Sequence, residues 1–246
     1  MQLTILGSNG TYPTAGRPAS GYLVTHEGSR LWMDAGSGTY LALAAEMDPV
    51  DLDLVLLSHR HPDHCVDVFA LFHAIAFGPS QPDPIPVIVP EGLMESLVGF
   101  VGSDRMHEVF DFRLVEAGSE LTIGPFDLSI AESSHPPPTI APRITAGGKT
   151  LTYTADTGPS AALEDHARGS DLLLAEATLS APRQPDAFPF HLTGTEAGSM
   201  ATRAGVRRLM LTHIAPYADP HQSVVDAEST FNGEVTLAVP GARVTV

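Results

Sequence analysis

The sequence predicts a single mixed α/β domain, and three observations carry that prediction. Short apolar, β-rich runs alternate with stretches of helical spacing along the whole 246-residue chain. The proline-rich stretches at 79–86 and 136–138 are too short to link separate domains. No repeat with a period of roughly 20–50 residues is present, which argues against a solenoid or propeller.

Taken in order, residues 3–6, 22–25 and 30–34 read as strands separated by turn-forming clusters of Gly, Asn, Pro and Ser. Residues 39–47 have helical spacing, and 52–58 form a nearly continuous apolar strand of the buried kind. The segment 62–77 places Val66, Phe69, Ala70 and His73 at helical intervals, with Pro62 suited to a first helical turn. A strand at 86–89 and a helix at 92–101 follow. In the second half, 121–131 and 150–154 read as strands, 160–168 as a helix, and 171–176 (DLLLAE) as a strand ending in an acid. Thr193 and Glu196 have the spacing of a capping box, which opens a helix with the apolar face Ala197, Met200, Ala201 and Ala204. Residues 208–212 return as a strand that ends at His213.

Composition narrows the function classes. The formal charge is −16, and Lys149 is the only lysine. Gripping a long nucleic acid takes clustered Lys and Arg, and the nearest approach here is Arg203 with Arg207 and Arg208. No long nucleic-acid groove is expected. No run approaches the roughly 18 apolar residues of a membrane span. The opening MQLTILGSNG has neither a basic region nor a small-residue cleavage site, so a cytoplasmic location is the expectation. The single cysteine, Cys65, agrees with a reducing compartment and reads as a small apolar helix residue.

The stretch LLSHRHPDH (56–64) packs three histidines and an aspartate into six residues. His59 and His61, two apart in extended backbone, can reach one metal ion from one side of a loop. Asp63 and His64, at the start of the next helix, project elsewhere and can hold a second. Later strands end in the same residue types: His135 follows 128–131, Asp156 follows 151–154, and His213 follows 208–212. Neighbouring strand ends are where a sheet gathers residues distant in sequence. Five imidazoles and two carboxylates suit two divalent ions with one carboxylate bridging, and Zn, Mn and Fe all accept such ligands. Paired ions about 3.5–4 Å apart serve metal-assisted hydrolysis. The other histidines (His26, His73, His107, His166, His221) form no pattern and read as packing or surface.

H-x-H-x-D-H after a buried strand, with His135, Asp156 and His213 downstream, resembles the metallo-β-lactamase superfamily over nearly the whole chain. The resemblance implies a four-layer αββα sandwich of two similar halves, with a dinuclear zinc site on one edge. It places His59, His61 and His135 on one ion, Asp63, His64 and His213 on the other, and Asp156 as the bridge. Asp34, in WMDAG, matches the family's D-x-G strand end, which braces the histidine loop by hydrogen bonds.

AEAT (175–178), HLT (191–193) and TADTG (154–158) resemble motifs of the ribonuclease Z branch. By that resemblance His191 lies beside the scissile phosphate and protonates the leaving oxygen, while Glu176 holds its other nitrogen. A carboxylate partner fixes the imidazole tautomer and raises its pKa, as a general acid near neutral pH requires. The tRNA-processing members carry a long basic arm between the third histidine motif and the bridging aspartate. Here about twenty residues separate His135 from Asp156, room for two strands and a turn. The chain therefore resembles short bacterial members without the arm.

The expected activity is hydrolysis of cyclic nucleotides or short phosphodiesters by a metal-bridging hydroxide. His191 and Glu176 form the expected acid pair, and Asp63 also orients the hydroxide. Arg183, Phe188 and Phe190 precede His191 and are candidates to contact a base or its phosphate. The alternatives are a ribonuclease Z-type endonuclease, a lactonase or thioesterase with no need of the acid pair, and a binding protein that keeps the metals structurally. The flavodiiron branch is disfavoured because it usually carries glutamate where this chain has His61. A homodimer is implied by the resemblance alone.

Overall fold

The computed structural model describes residues 1–80 and 82–246; Gln81, inside the proline-rich stretch at 79–86, lies outside the described residues. The first sheet holds β1 (Gln2–Gly7), β2 (Gly21–His26), β3 (Ser29–Ala35), β4 (Leu54–Leu56), β5 (Ile85–Val89) and β6 (Phe110–Leu114). The second holds β7 (Glu120–Ile123), β8 (Phe126–Glu132), β9 (Ile140–Ala146), β10 (Lys149–Tyr153), β11 (Leu172–Glu176), β12 (Arg208–Thr212) and β13 (Glu234–Leu237). A last strand, β14 (Arg243–Thr245), returns to the first sheet beside β1.

Both sheets follow one plan. Pairing is antiparallel along β14-β1-β2-β3 and parallel along β3-β4-β5-β6. It is likewise antiparallel along β7-β8-β9-β10 and parallel along β10-β11-β12-β13. These are the two similar halves that the resemblance implies.

The period-2 alternation of strand side chains builds the layers. In β3, Leu31 and Met33 face the core between the sheets while Trp32 faces outward. In β11, Leu172 and Leu174 face inward while Leu173 and Ala175 face outward. Both strands therefore need cover on both faces, which explains their continuous apolar runs. Helices α1 (Thr39–Glu46), α2 (Pro62–Cys65), α3 (Val68–Phe77), α4 (Leu93–Val101) and α5 (Met106–Val109) lie along the first half. Leu43, Leu71, Phe72 and Leu97 from this group close the outer core of the first sheet. Helices α6 (Ala161–His166), α7 (Gly194–Ala204) and α8 (Pro220–Glu228) cover the second sheet. The predicted face of α7, Ala197, Met200, Ala201 and Ala204, is buried there. Its capping box forms: Glu196 N–H donates to Thr193 Oγ1 (3.2 Å), and Thr193 N–H donates to Glu196 Oε2 (2.9 Å). The result is the four-layer αββα sandwich. No helix among the described residues is long and apolar enough to cross a membrane.

The predicted strand 52–58 is shorter, Leu54–Leu56, and two predicted runs are each two elements. The run 121–131 is two strands, β7 and β8, because it turns back on itself and pairs Ile123 with Phe126. The run 62–77 is two helices. The Asp67 N–H leaves the helical ladder to bond Ala35 O (2.8 Å), and its carboxylate accepts from Tyr40 N–H (2.8 Å).

Three contacts fasten the halves together near the histidine loop. Tyr153 Oη in β10 donates to Asp34 Oδ2 in β3 (2.9 Å), Tyr22 Oη bonds Thr212 Oγ1 (2.6 Å), and Ile140 N–H donates to Ser58 O (3.0 Å). Between the His135 loop and Asp156 the chain makes only the β9–β10 hairpin. Its two-residue turn, Gly147 (φ 58°) and Gly148 (φ 69°), has the doubly positive φ of a tight hairpin that glycine allows.

Truncating Leu174, fully buried between the sheets, tests this packing. Leu174→Ala is expected to lower the unfolding free energy by about 2–5 kcal/mol in urea titrations. Leu41→Ala, at a site 74% exposed, is expected to stay within about 0.5 kcal/mol of the parent.

Candidate metal centre and acid pair

All seven predicted ligands converge on one rim, at or just beyond strand ends of both sheets. His59 and His61 lie in the loop after β4, Asp63 and His64 in α2, and His135 after β8. Asp156 follows β10 and His213 follows β12. Pro62 at the first position of α2 turns the chain between the two pairs, so they project separately, as the spacing predicts.

The donor atoms form two groups. His59 Nε2 and His61 Nδ1 lie 3.1 Å apart, and Asp156 Oδ2 lies 3.7 Å from His59 Nε2 and 3.8 Å from His135 Nε2. In the second group His64 Nε2 and His213 Nε2 lie 3.6 and 3.2 Å from Asp63 Oδ2. The same two nitrogens lie 3.1 and 3.4 Å from Asp156 Oδ1. Each Asp156 oxygen thus faces a different group. Ligand atoms about 2.0–2.1 Å from one tetrahedral ion stand roughly 3.3 Å apart, so both groups have the size of a divalent site. His64 Nε2 and Asp156 Oδ1 are buried with no hydrogen-bond partner, as lone pairs aimed at a cation would be. The donor set fits a pair of divalent ions.

Each buried imidazole is aimed by an acceptor on its other nitrogen. His59 Nδ1 is 3.1 Å from Ser58 Oγ, His64 Nδ1 is 2.7 Å from Asp34 Oδ2, and His135 Nδ1 is 3.2 Å from Thr139 Oγ1. His213 Nδ1 is 2.8 Å from Thr178 Oγ1. An acceptor at Nδ1 places the proton there and leaves Nε2 as the donor to metal. Asp34 plays the bracing part expected of it, accepting also from Ser58 N–H (2.7 Å) and Ser58 Oγ (2.8 Å).

Electrostatics favour a cation. Burial, reinforced by neighbouring His64, holds His59 well below the usual imidazole range, and burial brings His135 down to about 4. Both are neutral ligands at pH 7. Burial works against ionising Asp156, yet His213 and His64 outweigh it and the carboxyl stays well below its ordinary value. Burial also opposes a charged His64, but Asp156, Asp63 and Asp34 raise it well above the normal value. Three carboxylates around one imidazole are a concentration of negative charge that bound cations neutralise. Burial pushes the Cys65 thiol up to about 12, and its S–H faces Arg60 O, in keeping with packing.

A second constellation stands beside this cluster. Glu176, fully buried at the end of β11, accepts from His191 Nδ1 (2.9 Å) and Thr157 N–H (2.7 Å) at Oε1. At Oε2 it accepts from Thr178 Oγ1 (2.6 Å), Thr178 N–H (3.2 Å) and Leu192 N–H (3.2 Å). The His191 ring stacks 5.8 Å from that of His213 and lies 5.4 Å from that of His135. A His191 nitrogen lies within 4.8 Å of donor atoms of both Asp156 and His213. Of the three candidates before His191, Phe188 and Phe190 stand at the rim. Arg183 does not: its guanidinium is engaged by Glu196 (2.8 and 2.7 Å) and by the carbonyls of Phe188 and His191. It pins the loop instead of facing the cluster.

The fold and this donor set meet their counterpart in known proteins. The family model of the "Beta-lactamase superfamily domain" matches residues 14–214. The chain belongs to the beta-lactamase superfamily. It is 34% identical to the uncharacterized protein Rv1339 of Mycobacterium tuberculosis, over 97% of this chain and 90% of that one. It is 31% identical to the probable metallo-hydrolase YhfI of Bacillus subtilis, over 98% of both chains. The crystal structure of YhfI superposes with a TM-score of 0.90 over 99% of this chain and 98% of that one. A ribonuclease Z of Halobacterium salinarum is 28% identical over 98% of this chain and 96% of its own. Membership and the donor set together make this a metallo-hydrolase.

Sequence reasoning misses the hydroxyls behind the imidazoles, those of Ser58, Thr139 and Thr178, and the Tyr153 hydroxyl that donates to Asp34. Thr178 carries a readable signal, two residues beyond Glu176 in an extended strand end, where alternation returns it to the same side. Its hydroxyl joins Glu176 to His213, so one residue links the Glu176–His191 pair to the candidate metal cluster. Thr178→Val is expected to weaken binding of one of two Zn ions by about 10–100-fold in chelator competition, and Thr178→Ser to restore it.

Proposed function

We propose that this metallo-hydrolase is a phosphodiesterase acting on cyclic nucleotides or short nucleotide diesters, with two divalent ions held by the seven residues above. The observation that carries this reading is the Glu176–His191 pair set against the metal ligands. Glu176 fixes Nδ1 as a donor, so the proton on Nε2 is the one available to a substrate. Burial disfavours a charged His191, but the hydrogen bond and charge of Glu176 prevail and raise its pKa. The alkoxide leaving a phosphodiester is a strong base, and a positioned acid contributes roughly 10²–10⁴-fold to its departure.

When bound, the ions supply Lewis-acid stabilisation of phosphate charge and a lowered pKa for a water molecule. The rest falls to the chain. Asp63, more exposed than Asp156 (12% against 3%), is the carboxylate on the open side and orients the attacking water. His191 delivers its proton to the leaving oxygen, and Glu176 keeps the ring aligned through the transfer. The alignment with the Halobacterium ribonuclease Z runs over 296 positions against 246 residues here, so at least 50 positions of that relative have no counterpart. The short β9–β10 hairpin and the charge of −16 favour small diesters over tRNA.

Turnover of bis(p-nitrophenyl) phosphate by Zn- or Mn-loaded protein tests the reading. His191→Ala is expected to lower kcat by about 10²–10⁴-fold with metal content unchanged. Hydrolysis of a model lactone that survives this substitution, with phosphodiesters untouched, would overturn it. The pH profile gives a further check. A raised pKa keeps the acid form full at low pH and loses it as pH climbs through that value. Glu176→Gln removes the charge that raises it, so the alkaline limb of kcat is expected to move to lower pH.

A further inference from the structure

We infer that an uncharged ring system of the substrate, of the nucleoside kind, docks in a groove beside the metal cluster, so that the preferred diester bears a neutral nucleoside on one oxygen. This rests on the phosphodiester reading. The groove, about 790 Å³, starts at His135 and Phe190 and runs between the end of β8 and α6. Its size falls in the range of roughly 300–1,000 Å³ that takes drug-sized ligands, far more than a phosphate needs.

The walls suit a planar ring. Pro136, Ile130, Ala162 and Phe190 line the groove. Phe190 stands edge-on to His135, centroids 6.4 Å apart. Phe188, 57% exposed, touches Phe190 at 4.9 Å and lies 6.2 Å from His191. Two rings presented at the rim beside the proton donor are a stacking surface for a base. They are held in place from below. Arg183 clamps their loop to Glu196, and the Pro189 carbonyl sits so close to Gly158 that a Cβ there would lie 2.2 Å away. Only glycine lets the loop approach the Asp156 turn this closely.

Charge decides what the ring can carry. Among the described residues lining the groove there is no Lys or Arg, and Glu132 is the one acid. A second phosphate would meet that carboxylate with no cation to offset it. A neutral nucleoside meets a mixed wall: apolar Pro136, Ile130 and Ala162, the Phe190 edge, and Ser133, Ser134 and Ser160, whose hydroxyls suit a sugar or base without demanding charge.

The test compares kcat/KM for a dinucleoside monophosphate, ApA, with that for bis(p-nitrophenyl) phosphate on Zn- or Mn-loaded protein. Ala162→Trp, at an exposed helix position, narrows the groove, and Phe190→Leu removes a stacking ring. Both are expected to lower the ApA/bis(p-nitrophenyl) phosphate ratio about tenfold or more, chiefly through KM. Adding a terminal phosphate to ApA at either the 5′ or the 3′ end is expected to cost about tenfold at one of the two ends. Glu132→Lys is expected to recover that loss. An unchanged ratio in both groove variants, or full activity on both phosphorylated derivatives, would overturn the inference while leaving the phosphodiesterase reading intact. Failure to hydrolyse either diester in any form would remove both.

Discussion

A carboxylate with no exposed surface sits at the end of β3, and the geometry of the metal centre hangs on it. Asp34 accepts from the Ser58 backbone, the Ser58 hydroxyl, His64 and Tyr153. Left unpaired, a buried carboxylate costs several kcal/mol, so its donors cannot drift independently. Three of those four donors belong to the histidine loop or α2, and the fourth comes from the opposite sheet. One interaction therefore fixes the loop and joins the two halves whose strand ends supply the ligands.

The backbone shows how tightly this rim is determined. Asp34 (φ 58°), Ala155 (φ 49°) and His213 (φ 51°) all adopt the left-handed conformation at strand ends. Each such position costs on the order of 1–3 kcal/mol for a residue with a Cβ and persists only where its surroundings enforce it. Two of the three flank or supply metal-ligand positions. At His213 this conformation accompanies a side chain in the cluster, at Ala155 it precedes Asp156, and at Asp34 it accompanies a carboxylate set behind the histidine loop. Fixed acceptors behind His59, His64, His135 and His213 then leave little to reorganise when cations arrive.

How much of this was legible in the sequence follows from which interactions are local. The clustering of the seven candidate ligands could be read because HRHPDH lies within one loop and helix, and because His135, Asp156 and His213 each end a recognisable strand. The α7 capping box and apolar face were equally local. Strands β13 and β14 are short and half exposed, so neither alternates clearly, and β14 is defined by pairing with β1 at the far end of the chain. Helix α8 is different. Asp219 before Pro220 is an N-cap signal in plain view, and the Asp219 side chain does cap it. Arg183 misled because an arginine in the loop before a candidate catalytic histidine suggests an anion contact. Its true partner, Glu196, had already been counted as half of a capping box. Ser58 and Thr139 behind the histidines, and Tyr153 on Asp34, are common residue types whose role exists only once the sheets are packed.

The central claim is that Asp156 is shared between two ions. Anomalous diffraction from crystals grown with Zn, recorded on both sides of the metal edge, tests it most directly. The expected result is two peaks, one on each side of the Asp156 carboxylate, with His59, His61 and His135 around one and Asp63, His64 and His213 around the other. A single peak at saturating Zn, or one with His191 in the place of a ligand, would contradict the account.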